Sequence, residues 1–151
     1  MASSTEISRS KVRQFSVFLQ NRVGAFLSLV RLMNDAHVLV LGHSVQDHAD
    51  VTLVRMVVTD PETLETLFIE RGIPHAVRDM VVVELKEAPA DFGRCLAALL
   101  AAELNIQFCY SLMSRPNGHP VLALAVEDTD FTLGVLRDAG FKTLSQDELS
   151  R

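Results

Sequence analysis

Apolar positions along the chain switch between two periods. Phe15, Val17 and Leu19 alternate with Gln14, Ser16 and Gln20, the two-residue repeat of a half-buried strand, with Phe18 on the other side. From Ala25 the spacing becomes helical. Ala25, Phe26, Leu29, Val30 and Met33 share a face, while Leu27 and Leu32 add apolar surface beyond what covering one sheet requires. Asn34-Asp35 ends this helix. A strand is predicted over residues 37–46, interrupted at Gly42, where a bulge or a close approach to the backbone is expected. Asp47-His48-Ala49-Asp50 reads as a turn and residues 51–58 as the returning strand of a hairpin. Asp60-Pro61-Glu62 opens a second helix: Asp60 suits the cap, Pro61 the first helical position and Glu62 the positive helix end. Leu64, Leu67 and Phe68 face the core, and Gly72 stops the helix at the left-handed position. A short strand over residues 73–77, with Pro74 favouring a sheet edge, completes the order βαββαβ.

The order then repeats. Residues 80–85 read as a strand, residues 88–92 as a turn, and Gly93 opens a helix with Leu96, Leu99 and Leu100 on one face and alanines elsewhere. Strands follow over 106–113 and 121–126, joined through Arg115-Pro116-Asn117-Gly118, a strong turn signal. Asp128 caps a helix that Gly140 stops, residues 141–144 form a last strand, and Ser145-Gln146-Asp147-Glu148 has the spacing of a capping box. Gly24 and Gly93, Asp60 and Asp128, and Gly72 and Gly140 recur after 68 or 69 residues. A turn, a cap and a stop matched in sequence order argue for tandem duplication. The predicted domains are residues 12–78 and 79–151. A short join near Arg78-Asp79 leaves little hinge freedom between halves expected to pack side by side.

Composition narrows the function classes. The 151 residues are 48% apolar, enough for a substantial core, and the formal net charge is −5, which argues against a nucleic-acid electrostatic footprint. Residues 1–11 are polar, with four serines, and read as a flexible tail rather than a signal peptide. No apolar run reaches the roughly 18–20 residues a membrane span needs. Cys95 and Cys109 form no C-x-x-C and read as two buried reduced thiols of a cytoplasmic protein, although sequence leaves a disulfide open. His43, His48, Asp47 and Asp50 lie close together, but a turn does not guarantee the convergence a metal needs, and solvated loop residues are the expectation. His37, His75 and His119 carry no spacing signal.

The candidate chemistry lies at the first strand-to-helix turn, Asn21-Arg22-Val23-Gly24. A strand running through a glycine turn into a helix leaves backbone N–H groups without partners, and with the helix dipole these suit a carboxylate or phosphate. An ordinary connection has the same spacing. The run from Ser16 through Asn21, Arg22, Val23 and Gly24 to Phe26 resembles the opening of an ACT domain, a small regulatory module of amino-acid metabolism. The usual turn of that family is Asn-Arg-Pro-Gly-x-Leu; here Val23 replaces the proline and Phe26 the leucine. The stretch from Asp138, Ala139, Gly140 and Phe141 to Leu149 is similar to the tail of stand-alone tandem ACT proteins, which are similar to the regulatory subunit of acetolactate synthase. The resemblance covers about residues 12–149. The second copy departs from it, with a longer loop from Ala88 to Gly93 that carries Asp91.

The resemblance implies an α+β fold of two tandem ferredoxin-like βαββαβ units, with antiparallel sheets and helices on one face. It implies a non-enzymatic regulator that binds a small amino acid, with no cofactor and no metal. The backbone N–H groups of Val23, Gly24 and Ala25 would receive the ligand carboxylate, and Asn21 would offer its amide. Arg22 and Phe26 would complete the turn. Gly42, His43 and Ser44 would border the site, and Asp91 and Tyr110 would be alternative contributors across an interface. Implied partners are a second copy, as a homodimer, and a biosynthetic enzyme, with no nucleic acid and no membrane. Three rivals share the strand-helix order. An RNA-recognition domain would want aromatics on its central strands, and a metallochaperone its C-x-x-C. An acylphosphatase-like enzyme would want a glycine-rich arginine loop. A constitutive assembly subunit without a ligand is a further alternative.

Overall fold

The computed structural model describes residues 11–20 and 24–150. The chain divides into two compact units, Arg13–Arg78 and Asp79–Leu149, with Ser150 joining the first and Lys11 and Val12 the second. Each is an α+β ferredoxin-like unit.

In the first unit β1 (Val12–Gln20) leads to α1 (Ala25–Asp35), then to the hairpin β2 (Val40–His48) and β3 (Val51–Val58), and to α2 (Pro61–Glu70). The antiparallel order is β2-β3-β1. Phe15 lies opposite Met56 and Val17 opposite Val54, so their side chains share a sheet face. With Val58, that face meets Leu29, Met33, Leu64 and Phe68 from the helices in one buried core. Full burial of each such side chain is worth roughly 1.5–3 kcal/mol. Phe15 and Phe68 pack edge to face at 5.9 Å, and the His75 ring lies 5.2 Å from Phe68, its Nδ1 2.9 Å from the Ile73 carbonyl oxygen.

β4 (His75–Glu84) starts in the first unit and continues into the second, which goes on with α3 (Ala90–Ala101), β5 (Ile106–Ser111), β6 (Val121–Val126), α4 (Thr129–Asp138) and α5 (Gln146–Leu149). Its order is β4-β6-β5. Val81, Val83, Leu122, Leu124 and Val126 face Cys95, Leu99, Leu136 and Phe141 in a separate core.

The expected caps and stops are present. Asp60 Oδ1 accepts the Thr63 N–H at 3.1 Å and Asp128 Oδ1 accepts the Phe131 N–H at 3.0 Å. Gly72 (φ 65°) and Gly140 (φ 89°) end α2 and α4 in the left-handed region. Ser145 Oγ accepts the Glu148 N–H and Glu148 Oε1 accepts the Ser145 N–H, each at 3.3 Å, the reciprocal capping box.

Five expectations need correction. The two strands predicted over 73–77 and 80–85 are one strand, β4, because no glycine or proline interrupts 75–84; Pro74 stands just before it. The hairpin turn is only Ala49-Asp50: His48 still pairs with Val51 and Asp47 with Thr52, whose hydroxyl donates to Asp47 Oδ1 at 2.8 Å. Helix α3 starts at Ala90 rather than Gly93, and its buried face is Asp91, Cys95 and Leu99, while Leu96 and Leu100 are exposed. The strand expected over 141–144 is a single bridge, Val83 to Thr143. Cys95 is buried but Cys109 is exposed.

The revised start of α3 changes the repeat. Leu29 and Met33 correspond to Cys95 and Leu99, and His37 (φ 62°), just after α1, corresponds to Glu103 (φ 56°), just after α3. These pairs are 66 residues apart, so Gly93 is not the counterpart of Gly24; Ala25 corresponds to Asp91.

Candidate functional site

The first turn leaves β1 at Gln20. Asn21, Arg22 and Val23 lie outside the described residues. Gly24 is the N-cap of α1 at φ 87°, ψ −9°, a conformation that favours glycine. A Cβ there would meet nothing within 4 Å, so the dihedral rather than crowding selects the residue. Among the described residues, no side chain caps the α1 N-terminus, and its first turn holds no acid. The peptide dipoles give this end a positive partial charge, and the first turn brings no carboxylate to it.

One flank of this end is built by two of the predicted residues. The Phe26 ring meets the His43 ring edge to face, with centroids 5.8 Å apart and an interplanar angle of 74°. His43 lies opposite the core residue Met56, which places it on the helix-bearing face. Gly42 is buried opposite Val57, and the register shifts between Val40 and Gly42, the expected irregularity. Ser44 lies opposite Arg55, which in turn lies opposite Ser16. By strand alternation Ser44 points to the other sheet face from His43. The structure thus brings Phe26 to His43 and leaves Ser44 away from them.

The second strand-to-helix turn is arranged differently. Asp91 is buried in the first turn of α3. Its Oδ2 accepts the Glu87 N–H at 2.9 Å and its Oδ1 accepts from the Arg94 guanidinium at 2.6 Å. The Glu87 N–H, and after it Arg94, hold the carboxyl below the ordinary aspartate value, against the opposing effect of desolvation. Arg94 also lies over the Phe141 ring, 5.0 Å from its centroid. Beside this turn is a cleft of about 250 Å³ lined by Glu84, Lys86, Asp91, Arg94, Phe141 and Lys142 among others. Glu84, itself buried, accepts from the Asn117 amide at 2.8 Å.

Tyr110 is not part of that group. It lies opposite Ala123 and stacks on Phe108 with centroids 6.5 Å apart, whereas its neighbour Cys109 lies opposite the core residue Leu124. Tyr110 therefore points away from the helix that carries Asp91, and the two do not converge. Sequence reasoning missed Arg94, although its position three residues after Asp91 on a helix is a readable ion-pair spacing. It also missed the Glu84–Asn117 bond, which no local spacing signals.

Burial, and after it Cys109 and Asp91, push the Cys95 thiol above its ordinary value. Among the described residues, no group of three or more His, Cys, Asp or Glu gathers as a metal site, and no helix is long and apolar enough to cross a membrane.

Comparison with known proteins follows the same lines. A family model described as an ACT domain pair matches residues 10–151. No curated protein matches the sequence. A solved protein from Bacteroides thetaiotaomicron superposes with a TM-score of 0.84 at 19% identity, over 94% of this chain and 97% of that one. The ligand-free regulatory subunit of aspartate kinase from Thermus thermophilus gives a TM-score of 0.58 at 12% identity, over 86% and 93%. The corresponding subunit from Thermus flavus gives 0.55 at 14% identity, over 87% and 94%. At these identities the likeness is one of fold.

Proposed function

Because the chain belongs to the ACT domain pair family, we propose that it is a non-enzymatic regulatory protein that binds a small amino acid at the turn into α1 and signals through changed packing or assembly. ACT domains are regulatory modules, and two solved structures of this fold are regulatory subunits of aspartate kinase. A biosynthetic enzyme is accordingly the class of partner proposed, and residues 12–78 and 79–151 are the two ACT units.

One observation carries the placement. Among the described residues, the N-terminus of α1 has neither a side-chain cap nor a first-turn acid, while α2 and α4 are capped by Asp60 and Asp128 and α3 holds Asp91. A ligand carboxylate would supply the missing negative charge, accepting from the N–H groups of Val23, Gly24 and Ala25. Asn21 and Arg22 would contact its polar groups, and Phe26 with His43 would close the flank beside Gly42. The second turn, with Asp91 already in place, would bind such a ligand weakly or not at all. Regulation follows only if the ligand distinguishes two states of the protein.

A thermal-shift screen of the standard amino acids tests the reading, because selective binding to the native state raises the melting temperature. One amino acid should shift it and bind in calorimetry with one site per chain. No shift with any of them would overturn the proposal.

A further inference from the structure

The second unit holds both cysteines of the chain. Cys95 is fully buried on the inward side of α3, and Cys109 is exposed on β5. Cys109 lies opposite Leu124, so its side chain points to the helix-bearing face of the sheet, where Leu124 and Cys95 share one core. The repeat fixes its place along α3. The irregularities at Val40/Gly42 and Ile106/Phe108 are 66 residues apart, the same spacing that matches Leu29 with Cys95. Cys109 therefore holds the position of His43. In the first unit the His43 ring reaches α1 at Phe26, in the turn before Leu29. The same packing aims the Cys109 sulfur at the first two turns of α3, and Cys95 is the thiol those turns present inward. Of the charged neighbours that raise the Cys95 thiol, Cys109 acts more strongly than Asp91, which stands one turn away on the same helix. Such influence falls with distance, so the two sulfur atoms are near neighbours.

We propose that Cys109 and Cys95 form a redox-modification site, in which a peroxide oxidises the exposed thiol and the buried one closes a reversible disulfide between β5 and α3. The two thiols divide the work by their surroundings. Cys109 is open to solvent, so its thiolate attacks one oxygen of hydrogen peroxide, breaking the O–O bond. One water leaves and Cys109 becomes a sulfenic acid. The Cys95 sulfur then attacks the Cys109 sulfur, the S–O bond breaks, and the hydroxyl departs with the Cys95 proton as a second water. Two thiols and one peroxide thus give one disulfide and two waters. Burial keeps Cys95 in the thiol form, which protects it from direct oxidation and makes the closing step the slower one. The bridge ties the core side of α3 to the strand at the hairpin end of its sheet. Both thiols belong to the second unit, so the site stands apart from the amino-acid reading of the first turn.

The full reduced chain, treated with a small excess of hydrogen peroxide at neutral pH and then alkylated under denaturing conditions, tests this. Both thiols should be lost to the alkylating reagent, the intact mass should fall by two hydrogens, and dithiothreitol should restore the starting state. The oxidised chain should run as a monomer on a non-reducing gel and melt at least about 5 °C above the reduced one, because the bridge closes a short loop. Cys109→Ser, at an exposed position, should leave Cys95 alkylatable and the melting temperature unmoved by peroxide. Cys95→Ala should arrest the reaction at a Cys109 sulfenic acid that dimedone traps. The proposal is overturned if both thiols of the wild type stay alkylatable, or if Cys109 is oxidised beyond the sulfenic acid while Cys95 stays free. It is equally overturned by a chain linked to a second chain through Cys109, or by an oxidised chain that melts below the reduced one.

Discussion

Helix α1 begins at a glycine, and among the described residues no side chain caps it, whereas α3 begins with Asp91 folded back onto the Glu87 N–H and clamped by Arg94. The two helices pack on their sheets alike, Leu29 and Met33 matching Cys95 and Leu99. The difference is concentrated at one repeat position, Ala25 in the first unit and Asp91 in the second. A backbone that leaves N–H groups facing outward needs negative charge from somewhere. The second unit carries it covalently, and in our reading the first takes it from solution. Duplicated sites can therefore diverge in function without any change of fold, through a single residue that stands in for the ligand.

The comparison can be broken most directly at Ala25. Ala25→Asp should give the first turn a carboxylate of its own and lower the affinity for the amino acid found in the screen by tenfold or more, read by calorimetry. Unchanged affinity would remove the turn from the site. Gly24→Val forces a β-branched residue to φ 87° and should cost about 1–2 kcal/mol of stability in urea unfolding, along with the binding.

Asp91→Asn tests the other side. It should lower the melting temperature by about 3 °C and flatten the acid limb of the stability curve. The folded-state value of Asp91 lies below its unfolded value of about 3.9, so its contribution is complete above that pH and is lost as the pH falls through the folded value. Asp60, lowered by the Thr63 hydroxyl and N–H, contributes in the same direction. Urea midpoints measured from neutral pH down to about pH 2.5 would show whether the substitution removes part of that slope.

The smallest effects should be equal between the halves. Asp60→Ala and Asp128→Ala each remove one helix cap and should cost about 1 kcal/mol apiece. A large inequality would mean that the second helices have diverged as well.

Much of this was legible in the sequence because the responsible forces act locally. Alternation of Phe15, Val17 and Leu19, the Asp-Pro-Glu start, the glycine stops and the capping box each satisfy backbone groups within a few residues. The rotation of α3 was not legible. A helix containing Cys95, Leu96, Ala97, Ala98, Leu99 and Leu100 in succession is apolar all round, so no periodicity selects the buried side, and only packing against Leu122 and Leu124 decides it. A helix start at Gly93 aligns that glycine with Gly24, whereas the observed start at Ala90 aligns Asp91 with Ala25. The join at Arg78-Asp79 reads as a break between two strands because it is polar, yet nothing there prevents extended backbone, and β4 runs straight through it. For the site, the contact of Phe26 with His43 combined two residues already suspected, whereas the separation of Ser44 from His43 followed from strand register, which depends on the bulge at Gly42.

That bulge has a counterpart. In each unit the strand at the hairpin end of the sheet order, β2 or β5, carries an irregularity, between Val40 and Gly42 and between Ile106 and Phe108. A regular outer strand offers a straight row of N–H and C=O groups on which another chain can grow as cross-β structure. A register break spoils that template by kinking the strand and sharpening its twist. In each unit of a chain rich in valine and leucine, the bulged strand is thus a poor template for aggregation.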